Sequence, residues 1–257
     1  MMLSSAPDRT RLLDAEWLKI VRQLQEMDGI YIGSWESCRG FLEAVLWVLR
    51  VGGQWRSLPA DRGRWNTVFK RFSRWSALGV WKKLHGQFAQ DADLQDVSID
   101  SSVIRGHACA AGAAHSNQEQ EALGRSRGGF GCKIHAAVDA LGLPIRFLLT
   151  GGQASDIEQA KPLMENLVAA CCLADKGYDS NEFVSWLEAH GIKVVIPPRS
   201  NRIAPRSCDF HHYKERHVVE CMFGKLKYYR RIATRHEKKA INFMGMLSFC
   251  ATLLWLR

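Results

Sequence analysis

A single carboxylate set among cations is the feature of this chain best placed to do chemistry. If residues 213–227, YKERHVVECMFGKLK, form one helix, Tyr213, Arg216, Glu220 and Lys227 fall within a stripe of roughly 60° at about 100° per residue. Val218, Met222, Leu226 and Tyr229 fall on the far side, which gives the helix an apolar back. An exposed i,i+4 ion pair between Arg216 and Glu220 would account for two of these charges without any chemistry. Two aspartates upstream also occupy unusual settings. Asp100 lies in the apolar, strand-like run 97–104, on the face opposite Val97 and Ile99. A carboxylate there must be paired, protonated or metal-bound, or accept backbone hydrogen bonds near a strand end. Asp175 ends the short apolar run 170–174 and precedes Lys176-Gly177-Tyr178. The carboxyl ends of buried strands are where open α/β sheets place ligands, although an aspartate there also starts turns. Asp139, Asp156 and Asp179 are accounted for by turn or capping duty.

The elements that must position these groups read in two blocks. Residues 1–92 form an all-helical module, with helices expected at 14–26, 39–51, 64–77 and 81–90 and breaks at Gly52-Gly53, Gly63 and Gly79. In the third helix Trp65, Phe69, Phe72 and Ser76 follow core spacing, while Arg64, Lys70, Arg71 and Arg74 share another face that could lie on DNA. The stretch joining the second and third helices is too long for a helix-turn-helix, so an ordinary bundle with a wet face explains the pattern as well. From residue 93 the period changes to that of strands. A strand at 97–104 is followed by a hairpin of strands at 133–139 and 143–149, then by a helix to about 169, a strand at 170–174, a helix from 179 to about 191 and a strand at 193–196. This order fits a mixed sheet with helices on both faces. The intervening 106–131 is rich in Gly, Ala, Ser and Gln and reads as a mobile loop, with Arg125 and Arg127 as cations at its end. Residues 240–256 read as a buried terminal helix, short for a membrane span.

Charge is distributed unevenly. The chain carries a formal net charge of +9 and 47% apolar residues. From residue 193 to 239 there are 13 Lys and Arg against 4 Asp and Glu, a surplus equal to that of the whole chain. Such a concentration implies a polyanion running past the candidate helix, with Lys225, Arg230 and Arg231 on its backbone. The eight cysteines have no disulfide-like spacing and nothing at the start reads as a signal peptide, which points to a reduced cytoplasmic protein. Cys132-x2-His135 and Cys208-x2-His211 could together ligate zinc, although free buried cysteine explains them more simply.

Tyr-x2-Arg-x3-Glu-x6-Lys at Tyr213, Arg216, Glu220 and Lys227 resembles the C-terminal signature of the DDE transposases of the insertion sequence four superfamily. WRSLP, Gly-x-Trp, FxRW and GVW in the helical module, then SRGG, KIH and VDALGLP, resemble the insertion sequence five family within it. The resemblance runs from about residue 10 to the C-terminus. It implies a ribonuclease-H-like catalytic domain at 93–257 behind a DNA-end-binding or dimerisation module. Carried over residue by residue, it makes Asp100, Asp175 and Glu220 the catalytic, metal-holding triad. The implied cofactor is Mg2+, for which Mn2+ could substitute. Phosphodiester cleavage with two such ions needs carboxylates that converge from separated positions.

The resemblance further implies end cleavage at an insertion sequence and joining of 3′-hydroxyl ends to target DNA. Arg216 and Lys227 would hold terminal phosphates and Tyr213 would meet the DNA near the cut. The partners implied are double-stranded DNA and a second copy of the chain or more, in the bacterial cytoplasm on the nucleoid. A nuclease of the same fold that cuts without joining, a non-catalytic DNA-binding regulator and a zinc-dependent structural protein are the alternatives.

Overall fold

The computed structural model describes residues 9–257; the first eight, on which the signal-peptide reading and the start of the helical module partly rest, lie outside that range. The helical module holds α1 (Asp14–Gln25), α2 (Trp35–Val51), α3 (Trp65–Ala77) and α4 (Val80–Phe88). Ser34 starts α2 by accepting a hydrogen bond from the Ser37 amide at 3.2 Å. Gly52 ends it at φ 74°, where a Cβ would stand only 2.7 Å from the Cβ of Arg230. The joining segment contains two 3-10 turns, Trp55–Ser57 and Ala60–Arg62, and makes no helix-turn-helix.

These helices do not close on a core of their own. Ile20, Leu42, Leu46, Phe72, Trp75 and Trp81 belong to one hydrophobic cluster with Ile104, Ile134 and Ala136 of the sheet and Phe249 and Leu253 near the C-terminus. The last two come from α10 (Ala240–Leu256), a helix buried along most of its length. Gly245 lets it approach α3 and α4: a Cβ there would meet Ser76 Oγ at 2.6 Å and Trp81 at 2.9 Å. Among the described residues no helix is long and apolar enough to cross a membrane.

The sheet is mixed, as expected for a ribonuclease-H-like domain. β1 (Asp96–Gly106) is central, antiparallel to β3 (Gly129–Val138) on one side and parallel to β5 (Cys171–Leu173) on the other. β4 (Pro144–Gly151) extends it beyond β3, and β6 (Lys193–Val195) beyond β5. The pleat separates two cores. Val97 and Ile99 join Ala137 in a cluster with α5 (Ala160–Met164) and α6 (Asn181–Ala189), whereas Ile104 and Ile134 face the helical cluster.

Several elements differ from expectation. Residues 106–131 are not without structure: they contain a 3-10 turn, Ala108–Ala110, and β2 (Gly124–Ser126), which pairs with the extended start of β3. Leu123 is buried, and the buried guanidinium of Arg235 donates to the carbonyls of Glu121 and Ala122 at 2.7 and 3.1 Å. Arg235 lies in the two-residue β7 (Thr234–Arg235), which runs parallel to the end of β1. The helix expected up to 169 is a 3-10 turn followed by the five-residue α5, without the Ser155 cap. Ser180, not Asp179, caps α6, accepting from the Phe183 amide at 3.0 Å.

Candidate catalytic site

β1 carries Asp100 on the face that meets α8 (His217–Lys227). The final backbone pair between β1 and β5 is Ser98 with Leu173. Asp100 and Asp175 each lie two residues further on, so they leave adjacent strands at the same level, where strands stand about 4.8 Å apart. The side chain of Asp175 is turned by its own backbone, Oδ1 accepting from the Gly177 amide at 2.7 Å. Glycine suits that turn, because a Cβ at 177 would stand 2.8 Å from Asp175 Oδ1.

Glu220 approaches from the opposite side. The expected single helix is a nearly continuous helical run of three pieces, α7 (Phe210–Tyr213), a 3-10 turn Lys214–Arg216 and α8. Val219, Met222, Phe223 and Leu226 form its buried back, with Val218 only half-buried. Glu220 is exposed on the other side and pairs with Arg216. The same guanidinium donates from Nη1 to Asp100 Oδ2 at 3.0 Å and lies 5.7 Å from the Tyr213 ring centre. Arg216 therefore bridges two of the three acids, and the ion pair anticipated on the helix surface is one half of that bridge.

The electrostatics follow from this geometry. Burial pushes the Asp100 carboxyl above its ordinary value; the Ser101 amide and Arg216 pull it back, and the charge of Asp175 pushes it up again. Arg216 stays firmly protonated, because Tyr213, Asp100 and Glu220 together outweigh its burial. Beside them the Tyr178 hydroxyl is buried without a hydrogen-bond partner. Its pKa is raised by burial and then by the fields of Asp156, Asp100 and Asp175. Carboxylate oxygens are the hard donors that a divalent ion such as Mg2+ takes, so Asp100, Asp175 and Glu220 fit that cofactor in chemistry, although among the described residues they are not one of the groups whose ligand atoms all lie within 4.8 Å of one another.

Three neighbours of the site carry no clear signal in the chain. Arg199 clasps the Asp175 turn, donating to the carbonyls of Lys176 at 3.1 Å and Gly177 at 2.6 Å. Asp156 pairs with Lys133 at 3.0 Å and stands 3.5 Å from His135. Burial lowers the His135 pKa to about 4, so the imidazole is neutral at ordinary pH. Asp179 is no cap: it is buried, paired with Arg202 and Arg206, and accepts from the Arg199 amide at 2.8 Å.

The expected DNA-contacting cations divide by exposure. Lys225, Lys227 and Arg230 are exposed, as are Arg64, Lys70 and Arg74 on or beside α3 and Arg125 and Arg127 on the β2–β3 hairpin. Arg231 is different. It is 5% exposed, paired with Glu237 at 2.8 Å and bonded to the Gly53 carbonyl at 2.8 Å, which leaves it no free face for a phosphate. Arg71 is half-buried, stacked over Phe41 at 4.3 Å and bonded to the Ile32 carbonyl at 2.9 Å. Neither burial pattern can be read from the sequence, since arginine stems snorkel along apolar surfaces that only the fold creates. Cys132, His135, Cys208 and His211 are not gathered into a metal-binding group; among the described residues such groups are His107–Cys109–His236 and Asp96–Cys171–His212. All eight cysteines are free.

Residues 91–255 match the family described as "Transposase DDE domain", and residues 12–85 the family described as "Putative transposase of IS4/5 family". A relative from Brucella ovis named "Putative transposase for insertion sequence element IS6501" is 40% identical over 128 residues, 49% of this chain and 98% of the relative. One from Burkholderia cepacia, named for insertion sequence element IS402, is 30% identical over 49% of this chain and 63% of its own length. Among solved structures, the piggyBac transposase in a synaptic complex with hairpin DNA aligns with 99% of this chain and 68% of its own at a TM-score of 0.53. At 12% identity that likeness speaks for the fold alone.

Proposed function

The chain belongs to the DDE transposase domain family, whose members are divalent-metal-dependent enzymes of DNA transposition, and on that premise we propose the finer reading that follows. It cleaves at the ends of an insertion sequence and joins the freed 3′-hydroxyl ends to target DNA, with Asp100, Asp175 and Glu220 holding Mg2+, or Mn2+ in its place. When bound, two such ions supply Lewis acidity to the scissile phosphate and activate the attacking hydroxyl. The observation that carries this reading is the bridge from Arg216 to both Asp100 and Glu220, next to the strand end bearing Asp175.

The chain's own residues contribute positioning and charge. Asp100 offers an oxygen from within β1 and Asp175 from just past the end of β5, and Glu220 offers one from α8, where its exposed side chain can adjust by a rotamer change. Arg216 neutralises Asp100 and Glu220, a role that a divalent ion held by the acids would share, and its planar fork could then hold phosphate oxygens in two-point geometry. Tyr213 beside it presents a ring face to the DNA near the cut, and Lys227 presents a cation about three turns beyond Arg216 along the same stripe. Lys225 and Arg230 extend the contact along the backbone, and Arg64, Lys70 and Arg74 carry DNA on the helical module. Assembly of two or more copies on paired ends completes the proposal.

The test is cleavage of a labelled duplex carrying the element's terminal repeat. Asp100→Ala, Asp175→Ala and Glu220→Gln should each abolish Mg2+-dependent cleavage and leave binding to that duplex largely intact. Near-normal cleavage by any one of them removes that residue from the triad. Strand transfer from a pre-cut end separates a transposase from a nuclease that cannot join.

A further inference from the structure

A second group of ligand-type side chains meets four residues before Asp100 on the same face of β1. Asp96 opens β1, Cys171 opens β5 directly opposite it in register, and His212 comes from α7. Their ligand atoms all lie within 4.8 Å of one another, with His212 Nε2 at 2.9 Å from Asp96 Oδ2. The other carboxylate oxygen, Asp96 Oδ1, is buried and has no hydrogen-bond partner. Native structures rarely leave such an atom without one, and the His212 contact does not provide for it. At about 3.3 Å per residue the group lies roughly 13 Å along β1 from Asp100, too far to share an ion with it.

We propose that Asp96, Cys171 and His212 bind one transition-metal ion of the zinc class, separate from the divalent site at Asp100. Carboxylate oxygen, thiolate sulfur and imidazole nitrogen together form a borderline-soft donor set that zinc accepts, whereas Mg2+ does not take thiolate. One carboxylate and one thiolate balance the two charges of the ion, and binding releases the Cys171 thiol proton to solvent. Lys193, the register partner of Cys171 on β6, is paired with Asp209 at 3.5 Å. Water, or Asp96 Oδ1 as a second oxygen, completes the coordination. The ion fastens α7 to the first residues of β1 and β5. Because Tyr213 and the Arg216 turn follow His212 without a break, this clip fixes where Arg216 meets Asp100.

The test is titration of metal-free protein with Co2+. The wild type should develop a thiolate-to-cobalt charge-transfer band that saturates at one ion per chain, is abolished by Zn2+ and is unaffected by Mg2+. Cys171→Ser and His212→Gln should each lose the band while circular dichroism confirms that they fold, and Asp100→Ala and Cys109→Ser should keep it. Absence of the band in the wild type overturns the proposal. So does a band that survives Cys171→Ser but disappears in Cys109→Ser, which would place the ion at His107, Cys109 and His236.

Discussion

Replacing Arg216 with alanine should destabilise the metal-free protein and leave the metal-loaded protein nearly unaffected. Without Arg216, the Asp100 side chain, 22% exposed, loses its one cationic partner among the described residues and keeps the Ser101 amide at 2.7 Å. A hydrogen bond to a charged group of this burial contributes about 1.5–3 kcal/mol. The pair with Glu220 adds little, because that carboxylate is 59% exposed and i,i+4 pairs in solvent give only about 0.3–0.5 kcal/mol. The expected loss is about 2–3 kcal/mol, a fall in Tm of roughly 5–10 °C for a chain of this size. Thermal melts in EDTA and in Mg2+ measure it, since a divalent ion at the three acids neutralises the same carboxylates and should restore most of the loss.

The pH dependence has a definite sign. Asp100 titrates above its ordinary value when folded, so its ionisation costs stability that appears as pH rises through the window between the unfolded and folded values. Arg216 offsets that cost. The deficit of Arg216→Ala should therefore be largest at neutral pH and shrink on acidification as Asp100 takes up its proton, between its folded value in the variant and its lower folded value in the wild type. A deficit that persists undiminished in saturating Mg2+, or no deficit in EDTA, refutes this account of the bridge.

Asp179→Ala should cost about 1–3 kcal/mol in urea unfolding, because it removes the buried carboxylate that Arg202 and Arg206 share and leaves them Asn181 as side-chain partner. Burial alone would raise the Asp179 pKa, but Arg202, the Arg199 amide and Arg206 outweigh it and hold it low. Its contribution is present above the unfolded carboxyl value and lost as pH falls through the folded one, which a series of melts in acid would show. Gly245→Ala gains about 1 kcal/mol of helix propensity yet forces a methyl against Ser76 and Trp81; overpacking of about 1–3 kcal/mol should leave a net loss of Tm. Neutralising Lys225 and Arg230 should flatten the salt dependence of DNA binding by roughly 0.9 in log–log slope for each phosphate that the protein no longer neutralises, as fluorescence anisotropy would record. Arg231→Ala should instead unfold the protein more readily, since its partners are Glu237 and Gly53.

The parts of the fold legible in the sequence are those with a regular period and a single partner face. β1 and the β3–β4 hairpin read correctly because Val97, Ile99, Ile134 and Ala136 alternate with less apolar neighbours, and α10 because almost all of it is apolar. β2 and β7 are too short to show a period and exist because neighbouring strands accept them. The 106–131 segment reads as a loop from its glycines, whereas its order comes from Arg235, more than a hundred residues away. Charge counting locates the basic segment but overstates its free surface: Arg202, Arg206, Arg231 and Arg235 are spent on internal acids or carbonyls. Asp100 and Asp175 can be singled out by setting, yet their common level on adjacent strands requires the register.

The most direct measurement is the anomalous difference map of crystals soaked in Mn2+. Density is expected between the side chains of Asp100 and Asp175, with Arg216 turned away from Asp100 and Glu220 closing on the ion. Mn2+ bound elsewhere, with the Asp100–Arg216 contact unchanged at 3.0 Å, would contradict it.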